Sequence, residues 1–464
     1  MVRTREQYLD AVAKRKCNIY FRGRELFSVL DDEDLKYAAF HTARLYEYPG
    51  RTYFDDALRL EISKYYKIPK GNEDLLERHK LIYDNTLYSY GLFNISQAIG
   101  SDALFALLVV SRIMDKKLGT DYASRVWKYY HYVASNDLTA AVAQTDVKGH
   151  RKKRPHEQPD PDLYVRVIET RSNGIVVRGA KAHTTHALAV DEIIVLPTRA
   201  MTAGDKAYAV AFAVPVDAPG LRLIVRETGK VGQTFIGRKE GVEPETLTVF
   251  DDVFVPWDRV FMLGEYEYAG LLAVTFATYH RFTAVSYRAA MANLYLGAAY
   301  KMAEANGVLD AKHIRDDLLE IILFKEIQRM GALAAALHPL IQEGIAIPNP
   351  IYTNIAKLYS NSKFGDVLKS VVDVAGGIIA TFPTYEDLRS ETTRKYIVKY
   401  MQAAVDGESR LKIIELLREL VILGGGWYLT TMMHAEGSME ASKIELFRSY
   451  DYSEAVELVE KLLG

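Results

Sequence analysis

The sequence predicts an α+β protein in which a β-domain sits between two helical segments, and three textures along its 464 residues carry that prediction. From 1 to 137 the apolar residues recur at i, i+3, i+4, as in DLKYAAFHTARLYEY and SQAIGSDALFALLVVSRIM, and no proline falls between 71 and 154. From 138 to 271 the texture changes to short β-branched and aromatic runs: LTAAVAQT, LYVRVIETR, GIVVRGAKAHTT, EIIVLPT, YAVAFAVPV, LRLIVRE and TLTVFDDVFV. Gly, Pro, Asn or Asp bound these runs, and Ser172-Asn173-Gly174 between two of them is a hairpin turn. From 272 to 464 helix periodicity returns, interrupted near IAIPNP (345 to 350) and GGIIATFPT (376 to 384). The expected domains are therefore N-terminal helical (1–137), β (138–271) and C-terminal helical (272–464).

Composition excludes several function classes. A formal net charge of −2 gives no global attraction to nucleic acid or an acidic membrane. One cysteine, Cys17, rules out an internal disulfide framework and points to a reducing, cytoplasmic setting. The charged start MVRTREQYLDAVAKRK lacks the apolar core of a signal peptide, and the longest apolar run, ALFALLVV (103 to 110), is far short of a membrane span. Neither G-x-G-x-x-G, a P-loop nor H-E-x-x-H occurs, so a Rossmann-bound nicotinamide, P-loop phosphoryl transfer and a zincin site are poorly supported.

Three polar segments remain as candidates for chemistry. In AVAQTDVKGHRKKRPHEQPDPDLY a strand runs into a loop with Lys148, Gly149 and Arg151, able to offer backbone N–H groups and cations to an anionic cofactor. Thr145 can hydrogen-bond a planar ring. In GAKAHTTHA two threonines and two histidines interrupt an apolar strand. In YHRFTAVSYR, His280, Ala284, Tyr287 and Arg288 share one helix face. That face reads as a ligand set, an acid–base site or ordinary packing.

The stretches TDVKGHRKKRPHEQPDPDLYVRV, NGIVVRGAKAHTT, FDDVFVPWDRVFMLGEYEYAG and YHR resemble the 4-hydroxyphenylacetate 3-hydroxylase family, and more closely its 4-hydroxybutyryl-CoA dehydratase/vinylacetyl-CoA isomerase branch. The resemblance runs from EQYLDAV to GSMEASKIEL and is densest from 139 to 300. It implies an acyl-CoA dehydrogenase-like fold that binds FAD, usually as a homotetramer sharing cofactor between subunits. Gln144 to Arg151 (with Thr145, Lys148 and Gly149) and His183 to His186 (with Thr184 and Thr185) match segments that contact FAD. Thr185 matches the threonine that bonds the flavin ring. Gly376-Gly377 matches a glycine-rich stretch that approaches the cofactor from a neighbouring subunit, although a helix-capping turn explains the pair equally well. Glu245 matches a carboxylate proposed as a base, and either Glu436 or Glu440 a second acidic residue.

The departures matter as much. The dehydratases hold a [4Fe–4S] cluster with three cysteines and a histidine, and those positions fall here on Asn94, Ala98, Tyr287 and His280. A cluster needs thiolates, so no metal site is expected. The branch's tyrosine and lysine after the histidine correspond to Ala284 and Arg288, and a glutamine to Ser96. Arginine keeps the cation but does not titrate near neutrality.

The expected function is thus a cluster-free FAD-dependent enzyme acting on a small acyl-CoA by double-bond isomerisation or dehydrogenation. Its candidate catalytic residues are Glu245, His280, Tyr287 and Arg288. The alternatives are a two-component aromatic monooxygenase served by a flavin reductase or electron-transfer partner, and a non-catalytic flavin-binding paralogue. Isomerisation needs only a proton moved, and so survives loss of the cluster.

Overall fold

A computed structural model describes residues 2–226 and 243–464. They divide into two compact units: Met1–Thr283 with Ile341–Ile347, and Ala284–Leu340 with Pro348–Gly464. Among the described residues no helix is long and apolar enough to cross a membrane.

The first unit opens with α1 (Arg5–Lys14), the hairpin β1 (Ile19–Phe21) and β2 (Arg24–Leu26), α2 (Lys36–Leu45), and the hairpin β3 (Thr52–Asp55) and β4 (Leu60–Ser63). Helices α3 (Asn72–Tyr88), α4 (Ala98–Leu118) and α5 (Tyr122–Ser135) follow. Thr4 caps α1 through a reciprocal capping box with Gln7. The run ALFALLVV lies in α4, which is buried on all sides from Ala98 to Ser111, as a helix apolar around its whole circumference must be. It ends at Gly119, whose φ of 71° suits the left-handed cap.

All seven expected strands form: β5 (Ala140–Ala143), β6 (Arg166–Arg171), β7 (Gly174–Thr185), β8 (Glu192–Val195), β9 (Val210–Pro215), β10 (Leu221–Val225) and β11 (Glu245–Pro256). The last residue of LRLIVRE, Glu227, lies outside the described residues. Ser172 and Asn173 turn β6 into β7, with Arg171 opposite Gly174. An eighth strand, β12 (Val260–Leu263), was not expected. The strands make a six-stranded sheet, β2-β1-β10-β11-β7-β6, and a four-stranded sheet, β12-β9-β8-β5. Their inner faces share one core in which Phe212 meets Phe250 edge-on at 5.7 Å. Each such side chain contributes about 1.5–3 kcal/mol by leaving water.

The stretch expected to be helical up to 137 thus lends a hairpin to the main sheet, with β1 parallel to β10 (Ile19 opposite Leu223). Three-residue strands are too short to show alternation, so local pattern could not reveal them.

Helix α6 (Tyr266–Asn306) begins six residues before the boundary expected at 272 and runs for 41 residues, about 60 Å. The second unit contains α7 (Lys312–Leu337) and α8 (Pro350–Ala375); the chain between them forms the small hairpin β13 (Leu340–Gln342) and β14 (Ile345–Ile347), of which Ile341–Ile347 belongs to the first unit. Gly331 lets the two helices approach, since a Cβ there would lie 2.3 Å from that of Ala356. The break expected at IAIPNP is this hairpin, and the one at GGIIATFPT follows the end of α8.

Candidate active site

Strands β7 and β11 run antiparallel with Thr185 opposite Glu245 and Thr184 opposite Thr246. Register slips between Thr246 and Thr248, and on the facing strand His183 has φ of 42°. This bulge changes the parity of β7. Lys181 and Thr184 therefore point into the protein, while Thr185 turns toward Glu245. The hydroxyl of Thr184 is engaged in a buried ladder, accepting from Thr248 Oγ1 at 2.9 Å, with Thr246 bonded to Thr248 at 2.9 Å.

Thr185 Oγ1 donates to Glu245 Oε1 at 2.9 Å. The other oxygen, Oε2, is fully buried and has no hydrogen-bond partner among the described residues. Burial pushes the Glu245 carboxyl from an ordinary value near 4.5 up to about 8; the Thr185 bond opposes the shift and Glu243 reinforces it. A carboxyl poised near 8 can hold a proton or release it at neutral pH.

The loop that carries Gln144, Thr145, Lys148, Gly149 and Arg151 is anchored by a buried ion pair that sequence reasoning missed. Lys181 Nζ meets Asp146 Oδ1 at 2.7 Å and donates to the carbonyls of Gln144 (2.8 Å) and Leu196 (3.0 Å). A lysine at an inward strand position was the available signal, because a buried ammonium needs a carboxylate and carbonyls around it. The Thr145 carbonyl accepts from Ala182 N at 2.9 Å, and Gln144 Nε2 reaches the carbonyls of Pro197 and Ala273 at 3.4 Å. Lys148, Gly149 and Arg151 are exposed at the end of this loop. Partial burial, then the charges of Arg151 and Arg199, push the Lys148 ammonium below its ordinary value. A cluster in which cations crowd one another suits an anionic ligand.

Gly149 has φ of 46°, and a Cβ there would lie 2.5 Å from Tyr164 Oη and 2.8 Å from Gln158 Oε1. Gly149→Ala is expected to cost roughly 1–3 kcal/mol, measured as a lower urea midpoint with an unchanged m-value.

His183 and His186 diverge. His183 is exposed, whereas His186 is buried, with Nε2 bonded to Thr42 Oγ1 at 2.6 Å. Burial and the nearby His41 push its imidazole down to about 3, so it is neutral. Its backbone N–H holds the Pro244 carbonyl at 2.7 Å, directly before Glu245.

His280 lies on α6 with Nδ1 3.3 Å from Asp102 Oδ2 and its ring stacked on Phe276. Asp102 is fully buried; its Oδ1 accepts from Arg78 Nη2 at 2.6 Å and from Thr283 Oγ1 at 3.1 Å. Asp102 and Arg78 were not singled out from sequence, since each belongs to a helix whose apolar face gives no hint of them.

The residues at the expected cluster positions do not fit an iron–sulfur group. Asn94 is buried and donates to the His41 carbonyl at 2.6 Å, Ala98 begins α4, and neither side chain is a thiolate. Cys17 is buried in the β-domain core, where desolvation pushes its thiol up to about 11. Among the described residues no three His, Cys, Asp or Glu side chains are grouped to hold a metal ion.

In the second unit Tyr287, Arg288 and Glu436 come together. Tyr287 Oη donates to Glu436 Oε1 at 3.0 Å, Arg288 Nη2 meets Oε2 at 2.6 Å, and Arg288 Nη1 reaches Ser360 Oγ at 2.6 Å. Arg288 is fully buried; burial opposes its charge, but Glu436 and Tyr287 together outweigh burial and hold the guanidinium above its ordinary value. Glu440 is exposed and pairs with Lys443, so Glu436 is the acidic residue that meets Tyr287 and Arg288. Gly376 caps α8 with φ of 69°, and beside it Gly377 is also exposed.

Residues 4–262 match the family model described as 4-hydroxyphenylacetate 3-hydroxylase N terminal, and residues 269–464 match the corresponding C-terminal model. The chain is 30% identical over 492 residues to a 4-hydroxybutyryl-CoA dehydratase/vinylacetyl-CoA-Δ-isomerase of Clostridium aminobutyricum, covering 100% of both chains. It is 28% identical to the oxygenase component of 4-hydroxyphenylacetate 3-monooxygenase from Thermus thermophilus, covering 92% of this chain and 90% of that one. Among solved structures, an oxygen-tolerant archaeal 4-hydroxybutyryl-CoA dehydratase from N. maritimus superposes with a TM-score of 0.93 at 28% identity, covering 100% of this chain and 95% of that one. An oxygenase component of 4-hydroxyphenylacetate 3-monooxygenase complexed with FAD shares the fold, with a TM-score of 0.91 at 24% identity, covering 100% and 98%. The chain belongs to the 4-hydroxyphenylacetate 3-hydroxylase family.

Proposed function

We propose that the protein is a cluster-free, FAD-dependent enzyme that moves a double bond in a small acyl-CoA, in the manner of a vinylacetyl-CoA isomerase. The observation that carries this reading is the half-buried Thr185–Glu245 pair, whose second carboxyl oxygen is buried and lacks a partner among the described residues. FAD fits the neighbouring residues: Lys148 and Arg151 supply cations for a pyrophosphate, and the Thr185 oxygen keeps lone pairs for a ring donor. When bound, the flavin supplies electron-accepting capacity beside the substrate. Glu245 takes the acidic proton next to the thioester carbonyl and returns it two carbons along, so the conjugated product has the composition of the substrate.

Several relatives favour a second reading, since the Thermus protein is the oxygenase component of a two-component monooxygenase. That activity needs a partner reductase and no cluster. We infer further that the protein works in the cytoplasm, in keeping with its single buried thiol, and as a homotetramer with an acyl-CoA as ligand. The oligomer would cover exposed apolar residues on α7 such as Leu319, Leu323 and Met330.

The deciding experiment incubates purified protein, reconstituted with FAD, with vinylacetyl-CoA and follows crotonyl-CoA. The expected result is isomerisation without iron or sulfide in the preparation. Hydroxylation of 4-hydroxyphenylacetate with reduced FAD and O2, and no isomerisation, selects the monooxygenase. Neither activity, with flavin bound, selects the non-catalytic reading.

A further inference from the structure

We propose that Asp102 is a positioning residue that fixes His280 in the Nδ1–H tautomer, leaving Nε2 as a proton acceptor. The inference rests on the reaction proposed above and adds to it His280, one of the candidate catalytic residues, as a group that accepts a proton through Nε2. Asp102 is fully buried, and its two oxygens have separate duties. Oδ1 accepts from Arg78 Nη2 (2.6 Å) and Thr283 Oγ1 (3.1 Å), and Oδ2 faces His280 Nδ1 at 3.3 Å. A carboxylate only accepts, so the nitrogen that meets it must carry the hydrogen.

Two further features hold the arrangement. Arg78 is itself buried and tied to Ser101 Oγ at 3.0 Å and to the carbonyls of Ala98 (3.1 Å) and Tyr65 (3.1 Å), so Asp102 cannot swing away with it. Phe276 stacks on the imidazole with centroids 5.4 Å apart and planes 15° from parallel, which limits ring rotation. The histidine is therefore oriented by side chains from α3, α4 and its own helix. Such an outer partner sets which ring nitrogen is available for chemistry.

The carboxamide of Asp102→Asn has a defined orientation. Arg78 and Thr283 both donate at the Oδ1 position, so the amide oxygen stays there and the NH2 group faces His280. An NH2 donor requires an unprotonated Nδ1, and the tautomer inverts to Nε2–H.

The test records 15N-histidine spectra of the full-length protein, with the His280 signals among the 11 histidines assigned by their loss in His280→Gln. The expected result is an Nδ1–H tautomer in the wild type and an Nε2–H tautomer in Asp102→Asn. With vinylacetyl-CoA, kcat falls roughly hundredfold and KM changes little, while Asp102→Glu restores the wild-type tautomer. An Nε2–H tautomer in the wild type overturns the proposal, even where Asp102→Asn does not fold. So does a tautomer unchanged in Asp102→Asn. Because the spectra are read without substrate, they stand or fall independently of whether vinylacetyl-CoA is turned over.

Discussion

Glu245→Gln is expected to lower kcat for acyl-CoA isomerisation by roughly 10²–10⁴-fold while the protein stays folded. Glutamine is nearly isosteric and keeps an oxygen for the Thr185 hydroxyl, so the loss isolates proton transfer from packing. In the wild type the carboxyl acts as base only when ionised, so kcat/KM rises with pH through about 8, and the variant lacks this limb. Stability moves the other way. The folded carboxyl stays protonated up to about 8, whereas the unfolded one ionises near 4.5. Its stabilising contribution is complete below the lower value and is lost as pH rises toward the upper one. Denaturant midpoints should therefore fall between pH 5 and pH 8 more steeply in the wild type than in Glu245→Gln, by a free energy on the order of a few kcal/mol. Equal slopes, with equal turnover, would remove Glu245 from both roles.

Arg288→Leu is expected to destabilise the protein by about 3–5 kcal/mol, because it strands the Glu436 carboxylate in a buried setting. Thermal unfolding then begins roughly 3–5 °C lower. Arg288→Lys recovers only part of the loss, since a point charge cannot reach Glu436 and Ser360 together as the guanidinium does. The double variant Arg288→Met with Glu436→Gln should be more stable than Arg288→Leu alone, because no unpaired charge remains. If Arg288→Leu melts like the wild type, the ion pair is not what holds Glu436 against α6. The geometry also changes the reading of Arg288: a fully buried guanidinium already engaged by Glu436 and Ser360 holds the carboxylate that Tyr287 also meets.

Local pattern made the seven middle strands and the long helices legible, since alternation and helical spacing are short-range signals. Resemblance named Thr185 and Glu245 separately, but their pairing, 60 residues apart, was not legible; the bulge at His183 that turns Thr185 toward the carboxyl leaves no trace in composition. The parallel pairing of β1 with β10 joins residues some 200 positions apart, beyond any window of periodicity. Asp102 and Arg78 were missed for a different reason. Each is a polar residue on a buried helix face, and only the packing of α3, α4 and α6 shows that the three meet. Glu436 and Glu440 are separated by backbone alone: Glu436 has φ of 55° before the Ser438 cap, whereas Glu440 lies in the first turn of the exposed helix that follows.

Cys17 sits in the core shared by the two sheets, with its thiol held protonated by its surroundings. Thiolate chemistry at this residue therefore presupposes that the sandwich has opened. The sulfur is in effect a recorder of conformational history: any adduct it carries marks a past unfolding excursion of that molecule and says nothing of the oxidant level around the folded one.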